Sequence, residues 1–360
     1  MSLKECYLAG LQKNAYVSND ENSKKSFLDY CLKTNTASFF LHQVGEEFKF
    51  ALENQDFKES FLHEHKKSLQ NQSSLKSFLK LAVANGIDIC LIKGAFMSNF
   101  MYADFTLRSM RDIDVLVEEN DLLKTVNLML ANGYYFLNSD VTELKKFNFN
   151  YAHQAPILVD RFGIAFEIHH RLKTYPELEN SDLLTISLKK HKQKKILFNI
   201  PVYVPSVNFA FIHCCHHAIQ KSKLNIGPIY LNDLMQFKDL VDHQILEDAR
   251  KSNCLREAKL GIQLFNYLKG SAMLKKKNIE DAIEIIIYSY KLPEFLPRRK
   301  FNLISSLKES YSFNANIFSL KALWRYLKLK IKQIFVFCRS YSLNFELHRK
   351  RKMFFKDFKN

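Results

Sequence analysis

The stretch that decides the reading is Arg108-Ser-Met-Arg-Asp-Ile-Asp-Val-Leu-Val117. From Asp112 to Val117 it has the alternation of a strand with one buried face. Ile113, Val115 and Val117 then pack inward, while Asp112 and Asp114 project together from the opposite face. Two carboxylates side by side repel each other unless a cation lies between them. Hard oxygen ligands select Mg²⁺ or Mn²⁺, and paired metals suit attack on a phosphate. Taken alone, however, an Asp-x-Asp strand is equally an edge strand with two solvated aspartates.

Downstream, Ile164-Ala-Phe-Glu-Ile-His169 adds a third carboxylate. Ile164, Phe166 and Ile168 form its core face, so Glu167 points the other way, with His169 beside it and His170 turned away. A neighbouring strand brings Glu167 next to Asp112 and Asp114. Ala155 to Val159 and Gly163 to His169, separated by Asp160-Arg161-Phe162, read as a hairpin. Upstream, Leu75, Phe78, Leu79 and Ala82 follow helical spacing, and Gly86 stands at a C-terminal cap position. Ile87 to Ile92 is a short buried strand, broken by Lys93-Gly94-Ala95, which opens a short helix to about Ala103. That turn offers backbone N–H groups to an anion with a lysine alongside, and Arg108 and Arg111 add cations just before the aspartates.

Strand, glycine turn, helix, Asp-x-Asp strand and a later apolar-Glu-apolar strand make a directional order more specific than any of its parts. That order resembles the polymerase-β-like nucleotidyltransferases. It is closest to an uncharacterised bacterial branch with Leu-Lys-Gly followed by Arg-x-x-x-Asp-x-Asp-x-x-Val. The matching residues are Leu91-Ile92-Lys93-Gly94, Arg108 to Val117, Phe166-Glu167-Ile168-His169, Phe211-Ile-His213-x-x-His216 and Leu231-x-Asp233-Leu234, spanning roughly residues 75 to 240. The resemblance implies an α+β fold: a small mixed sheet forming a nucleotidyltransferase core, flanked by N-terminal and C-terminal helical regions. It also implies transfer of a nucleotidyl group from an NTP, with Asp112, Asp114 and Glu167 as catalytic and metal-binding triad for Mg²⁺ or Mn²⁺. Lys93, Gly94, Arg108 and Arg111 would then bind the nucleotide. His169, His213, His216 and Asp233 are candidates for an acceptor or base cleft, with Asp233 orienting a histidine and Glu167 accepting a proton. In the phosphate turn this chain has Gly94-Ala95 after Lys93, where the wider superfamily has Gly-Ser or Gly-Gly.

Around this centre the chain divides into four regions. Residues 1–74 are helical and amphipathic and end in the polar run Asn71-Gln72-Ser73-Ser74, read as a helix boundary. Residues 75–205 hold the catalytic core, and 206–300 return to helix through Phe209 to Lys221, Leu231 to Val241 and Leu255 to Leu268. Residues 301–360 form a basic amphipathic tail in which twelve Lys and Arg from Lys321 to Asn360 face only Glu346 and Asp357. Such a tail suits an anionic membrane surface, a nucleic acid backbone or the protein's own body. The Lys189 to Lys195 run reads as a solvated turn.

Composition sets the outer limits. The 360 residues are 47% hydrophobic and 25% charged, which excludes wholesale disorder. A net charge of +16 favours a polyanionic partner, and 9 glycines with 7 prolines exclude collagen-like or linker-rich designs. Seven scattered cysteines without a Cys-x-x-Cys pair write neither a zinc ribbon nor a disulfide framework and suit a reducing cytoplasm. If the tail meets anionic lipid, it would hold this cytoplasmic protein at the inner face of the membrane. Ile196 to Gln220 lacks Lys, Arg, Asp and Glu, but Pro201, Pro205 and three histidines make it a strand, a turn and a helix rather than a membrane span.

Three functions follow for test. The first is an enzyme moving an NMP group from Mg-NTP onto the hydroxyl of a small molecule, glycan precursor, RNA or protein. The second is a non-catalytic nucleotide-binding or scaffold protein that keeps the fold, which the altered phosphate turn supports and the intact acidic set opposes. The third is a zinc hydrolase built on His213, His216 and His217, whose spacing puts them on one helix face.

Overall fold

In the computed structural model, residues 3–12, 21–44, 53–137, 152–173, 182–222, 224, 226–237, 244–269, 277–288, 349–351 and 353–355 are described. The strands are β1 Cys90–Leu91, β2 Asp112–Leu116, β3 Tyr135–Phe136, β4 Leu158–Val159, β5 Ala165–His169, β6 Gln193–Leu197 and β7 Ile200–Val204. They form one mixed sheet in the order β3-β4-β5-β2-β1-β7-β6. β2 runs parallel to β5 and β1 parallel to β7, and the other neighbours are antiparallel. With helices packed on this sheet and flanking it, the fold is the α+β class expected from the sequence.

Alternation sorts the central strands as their residues require. Ile113, Val115, Phe166 and Ile168 are fully buried on one face, where the Phe166 ring lies 5.3 Å from that of Phe78 and 5.4 Å from that of Tyr134. Burying each such side chain contributes roughly 1.5–3 kcal/mol. The turn between β4 and β5 is fixed by Asp160, whose Oδ1 accepts from the Phe162 and Ile164 amides, both at 2.9 Å. Gly163, at φ +79°, supplies the left-handed residue that turn needs. At the sheet edge, β6 carries exposed Lys194 and Lys195, a composition that discourages pairing with another chain. The Lys189 to Lys195 run is thus not simply a solvated turn: it ends helix Leu183–Lys190 and enters β6, and Lys189 and Lys192 both reach Glu118 at 3.0 Å.

One expectation is corrected here. The polar run Asn71-Gln72-Ser73-Ser74 does not end a helix; a single helix runs from Gln55 to Ala84, so the boundary placed at residue 74 falls inside it. Asn54 caps its start, accepting from the Phe57 amide at 2.9 Å. The polar side chains are buried anchors instead: Asn71 donates to the Met110 carbonyl at 3.0 Å, and Ser74 donates to Asp160. They pin the helix across the start of β2 and the β4–β5 turn.

Helices Leu3–Leu11, Glu21–Lys33 and Ala37–Val44 gather Tyr7, Phe27, Tyr30 and Phe40 into an aromatic cluster. Two of its hydroxyls reach far along the chain, Tyr7 to the Pro228 carbonyl and Tyr30 to the Ile287 carbonyl, each at 2.9 Å. N-terminal and C-terminal helices are thus tied to each other beside the sheet. Helices Val207–His216 and Leu255–Leu268 meet closely at Gly261, where a Cβ would lie 2.2 Å from Cys215 Sγ. Residues from Leu320 to Phe335, the apolar stripe of the basic tail, lie outside the described residues. Farther on, Lys350 pairs with Glu284 at 2.8 Å and buried Arg351 donates to the Ser222 carbonyl at 3.1 Å. No described helix is long and apolar enough to cross a membrane.

Candidate active site

The parallel pairing of β2 with β5 sets Asp112 opposite Ala165, Asp114 opposite Glu167 and Leu116 opposite His169. In-register neighbours on adjacent strands project from the same face, so Asp112, Asp114, Glu167 and His169 share one side of the sheet. His169 Nε2 lies 2.9 Å from Asp114 Oδ1 and 3.4 Å from Glu167 Oε2. Its other ring nitrogen, Nδ1, is buried without a partner, and the His153 ring lies 5.4 Å from the His169 ring. As His169 contacts two carboxylates through Nε2, that nitrogen carries a proton when it donates and must lose it to serve as a ligand.

Lys93 enters the same space from the end of β1. It has φ +45°, a left-handed conformation that costs a non-glycine residue roughly 1–2 kcal/mol. This backbone turns the ammonium into the acidic group: Nζ is 2.5 Å from Asp114 Oδ1 and 3.5 Å from both Glu167 Oε2 and His169 Nε2. Burial works against the Lys93 charge, but Asp114, Glu167 and Asp112 outweigh it and hold the ammonium protonated above its usual range.

The three carboxylates are not alike. Burial, reinforced by Asp114 and Glu167, pushes the Asp112 carboxyl up to about 7. For Glu167, burial acts in the same direction, but the hydrogen bond from His169 and the Lys93 charge win and hold it below the usual carboxylate range. Proton affinity near neutrality therefore belongs to Asp112, whereas Glu167 stays ionised.

Asp114, Glu167 and His169 each offer one ligand atom, all within 4.8 Å of one another, so these residues fit a divalent ion. Two carboxylates with an imidazole suit Mn²⁺ and its neighbours at least as well as Mg²⁺. His169, expected in a base or acceptor cleft, is thus a member of the donor set. Asp112, expected to bridge metals, stands outside the three-atom set on the same strand face.

Two of the expected nucleotide-binding residues are used differently. Arg108 makes a two-point ion pair with Asp233, Nε to Oδ1 at 3.2 Å and Nη2 to Oδ2 at 2.9 Å. Tyr102 also donates to Asp233 Oδ1 at 2.8 Å, so Asp233 holds an arginine and a tyrosine and does not orient a histidine. Gly94 lies beneath this pair: a Cβ there would come 2.7 Å from Arg108 Nη1. Any larger residue here would have to push the guanidinium aside. Arg111 is exposed at the head of β2.

The histidines of helix Val207–His216 and the turn after it separate. His213 and His217 are held neutral, first by burial and then by Lys93 and their cationic or imidazole neighbours. His216 instead lies against Cys254, with Nδ1 3.9 Å from its Sγ. Among the described residues no second group of three His, Cys, Asp or Glu ligand atoms comes as close as the Asp114 set, which leaves the zinc-hydrolase reading without a site. The sequence missed His153 and Lys221. His153 is held neutral by burial, with Lys221 and His169 acting in the same direction. Neither residue belongs to a motif; a π-helical turn over His217–Lys221 carries Lys221, and nothing local signals its direction.

Residues 27–270 match the family model described as "Uncharacterised nucleotidyltransferase". No curated protein matches the sequence. Among solved structures, an antigenic nucleotidyltransferase-like protein from Paracoccidioides brasiliensis shares 11% identity over 60% of this chain and 93% of that one, with a TM-score of 0.29.

Proposed function

Because this chain belongs to the uncharacterised nucleotidyltransferase family, we propose that it transfers an NMP group from a metal-bound NTP to an acceptor hydroxyl, releasing pyrophosphate. The observation that carries the proposal is the register of β2 with β5, which faces Asp114 with Glu167 and adds His169 to the same cluster. Asp114, Glu167 and His169 would hold a divalent ion, with Asp112 adjoining them. Such an ion supplies Lewis-acid stabilisation of charge on the reacting phosphate and leaving pyrophosphate.

The chain's own residues do the rest. Lys93 supplies a positive charge for the triphosphate from the turn after β1. Asp112, with its proton affinity near 7, is suited to take the proton of the acceptor hydroxyl, a role the sequence suggested for Glu167. Glu167, kept ionised by His169 and Lys93, instead contributes standing negative charge for a metal. His213, held neutral, borders the cluster without adding a competing cation. Arg108, committed to Asp233, leaves the phosphates to Lys93.

The acceptor is proposed only as a class, a hydroxyl on a small molecule, glycan precursor, RNA end or protein side chain. Titration calorimetry with Mn²⁺ or Mg²⁺ and each NTP, followed by a pyrophosphate-release assay, tests the proposal. Metal-dependent NTP binding with pyrophosphate release supports it. Binding without turnover across acceptors would favour the non-catalytic nucleotide-binding reading.

A further inference from the structure

Pairing with a triphosphate does not by itself account for where Lys93 sits without one. Its ammonium lies within 3.5 Å of Asp114 Oδ1, Glu167 Oε2 and His169 Nε2, on the same three residues that form the divalent-ion donor set. Metal–ligand distances to oxygen and nitrogen are about 2.0–2.2 Å, so an ion on these donors needs the volume that Nζ fills. Two cations in that volume would also repel strongly in a partly buried site. Lysine and metal are alternatives at one place.

We infer that Lys93 is a resident cation that keeps a free divalent ion out of the Asp114–Glu167–His169 site, so that the metal enters only together with a triphosphate. This rests on the nucleotidyl-transfer reading for the identity of the anion, but the exclusion itself rests on the geometry alone. The backbone is consistent with a side chain held in place by its partners. Lys93 keeps its left-handed φ of +45° while bound to Asp114, and a four-carbon stem can swing without moving the strand. What surrounds it limits where the ammonium can go. On its acidic side stand Asp112, Asp114 and Glu167; His153, His213, His217 and Lys221 border the same space, none of them an anion. An incoming triphosphate supplies the missing alternative, with more charge and more acceptor oxygens than the carboxylates. As Lys93 turns to the phosphate, its three former neighbours become free for the metal that accompanies it. Metal and nucleotide binding are thereby coupled, each favouring the other.

The test is Mn²⁺ binding without nucleotide, read from the free-ion electron paramagnetic resonance signal, in the wild type, Lys93→Met and Lys93→Gln. Both variants are expected to bind Mn²⁺ at least tenfold more tightly than the wild type, and Lys93→Met/Glu167→Gln should lose that gain. An α,β-methylene NTP should then tighten Mn²⁺ binding by the wild type and do so much less for either variant. Equal Mn²⁺ affinity of wild type and whichever variant remains folded overturns the inference. If the variants gain Mn²⁺ affinity while no NTP binds to the wild type, the exclusion by Lys93 stands and the nucleotidyl-transfer reading falls.

Discussion

Asp114 and Glu167, 53 residues apart in sequence, stand directly opposite each other across the parallel pair β2 and β5. Neither strand is chemically unusual alone; the site exists because their register leaves no offset between the two carboxylates. A shift of one residue would send Glu167 into the apolar core and Phe166 to the acidic face.

This gives the first prediction. Asp114→Asn or Glu167→Gln keeps side-chain shape but removes charge where a metal and phosphate charge must be held. Pyrophosphate release should fall by ~100-fold or more, while a cooperative unfolding transition is retained. A variant that keeps near-wild-type turnover would remove the residue from the site.

Arg108 and Asp233 carry the second. Both are largely buried, and their two-point pair joins the segment before β2 to helix Ile229–Gln236. Replacing one partner leaves the other charge buried, so Asp233→Asn or Arg108→Met should cost ~3–5 kcal/mol in chemical denaturation. The double variant should recover much of that loss. Gly94→Ala should weaken the same pair, because its methyl group meets Arg108 Nη1.

Glu64 supplies a pH dependence far from the catalytic face. It is 7% exposed, its Oε2 has no partner, and burial raises its carboxyl from 4.5 to about 7. The folded protein therefore holds a proton that the unfolded chain has released, and stability falls as pH rises through that window. Glu64→Gln should leave the melting temperature nearly unchanged at pH 5. At pH 8 it should raise stability, by on the order of 3 kcal/mol at most. Equal differences at both pH values would contradict this.

Asn71 tests the helix that the sequence did not reveal. Its amide anchors the Met110 carbonyl just before β2, so Asn71→Leu should cost about 1–3 kcal/mol in thermal or denaturant unfolding. An unchanged stability would mean the contact carries no weight.

How much was legible depended on whether the signal was local. The period-2 strands 112–117 and 164–169 could be read because each residue's face follows from its own position. The faces of Asp112, Asp114, Glu167 and His169 followed from the same alternation. The helix through Asn71-Gln72-Ser73-Ser74 was not legible, because Asn71 and Ser74 reach Met110 and Asp160, partners 39 and 86 residues away. Arg108 looked like a phosphate ligand because its partner, Asp233, lies 125 residues away. The lysine in the turn after β1 could be seen, but its left-handed backbone and the reach of Nζ into the carboxylates could not.

The most direct measurement of the account is transfer of label from α-phosphate-labelled NTPs, incubated with purified protein, Mn²⁺ or Mg²⁺ and a cell extract. The account predicts that a defined extract fraction acquires covalent label, with equimolar pyrophosphate, and that Asp114→Asn abolishes both. Absence of label and pyrophosphate with all four NTPs, from folded protein with its metal bound, would contradict it.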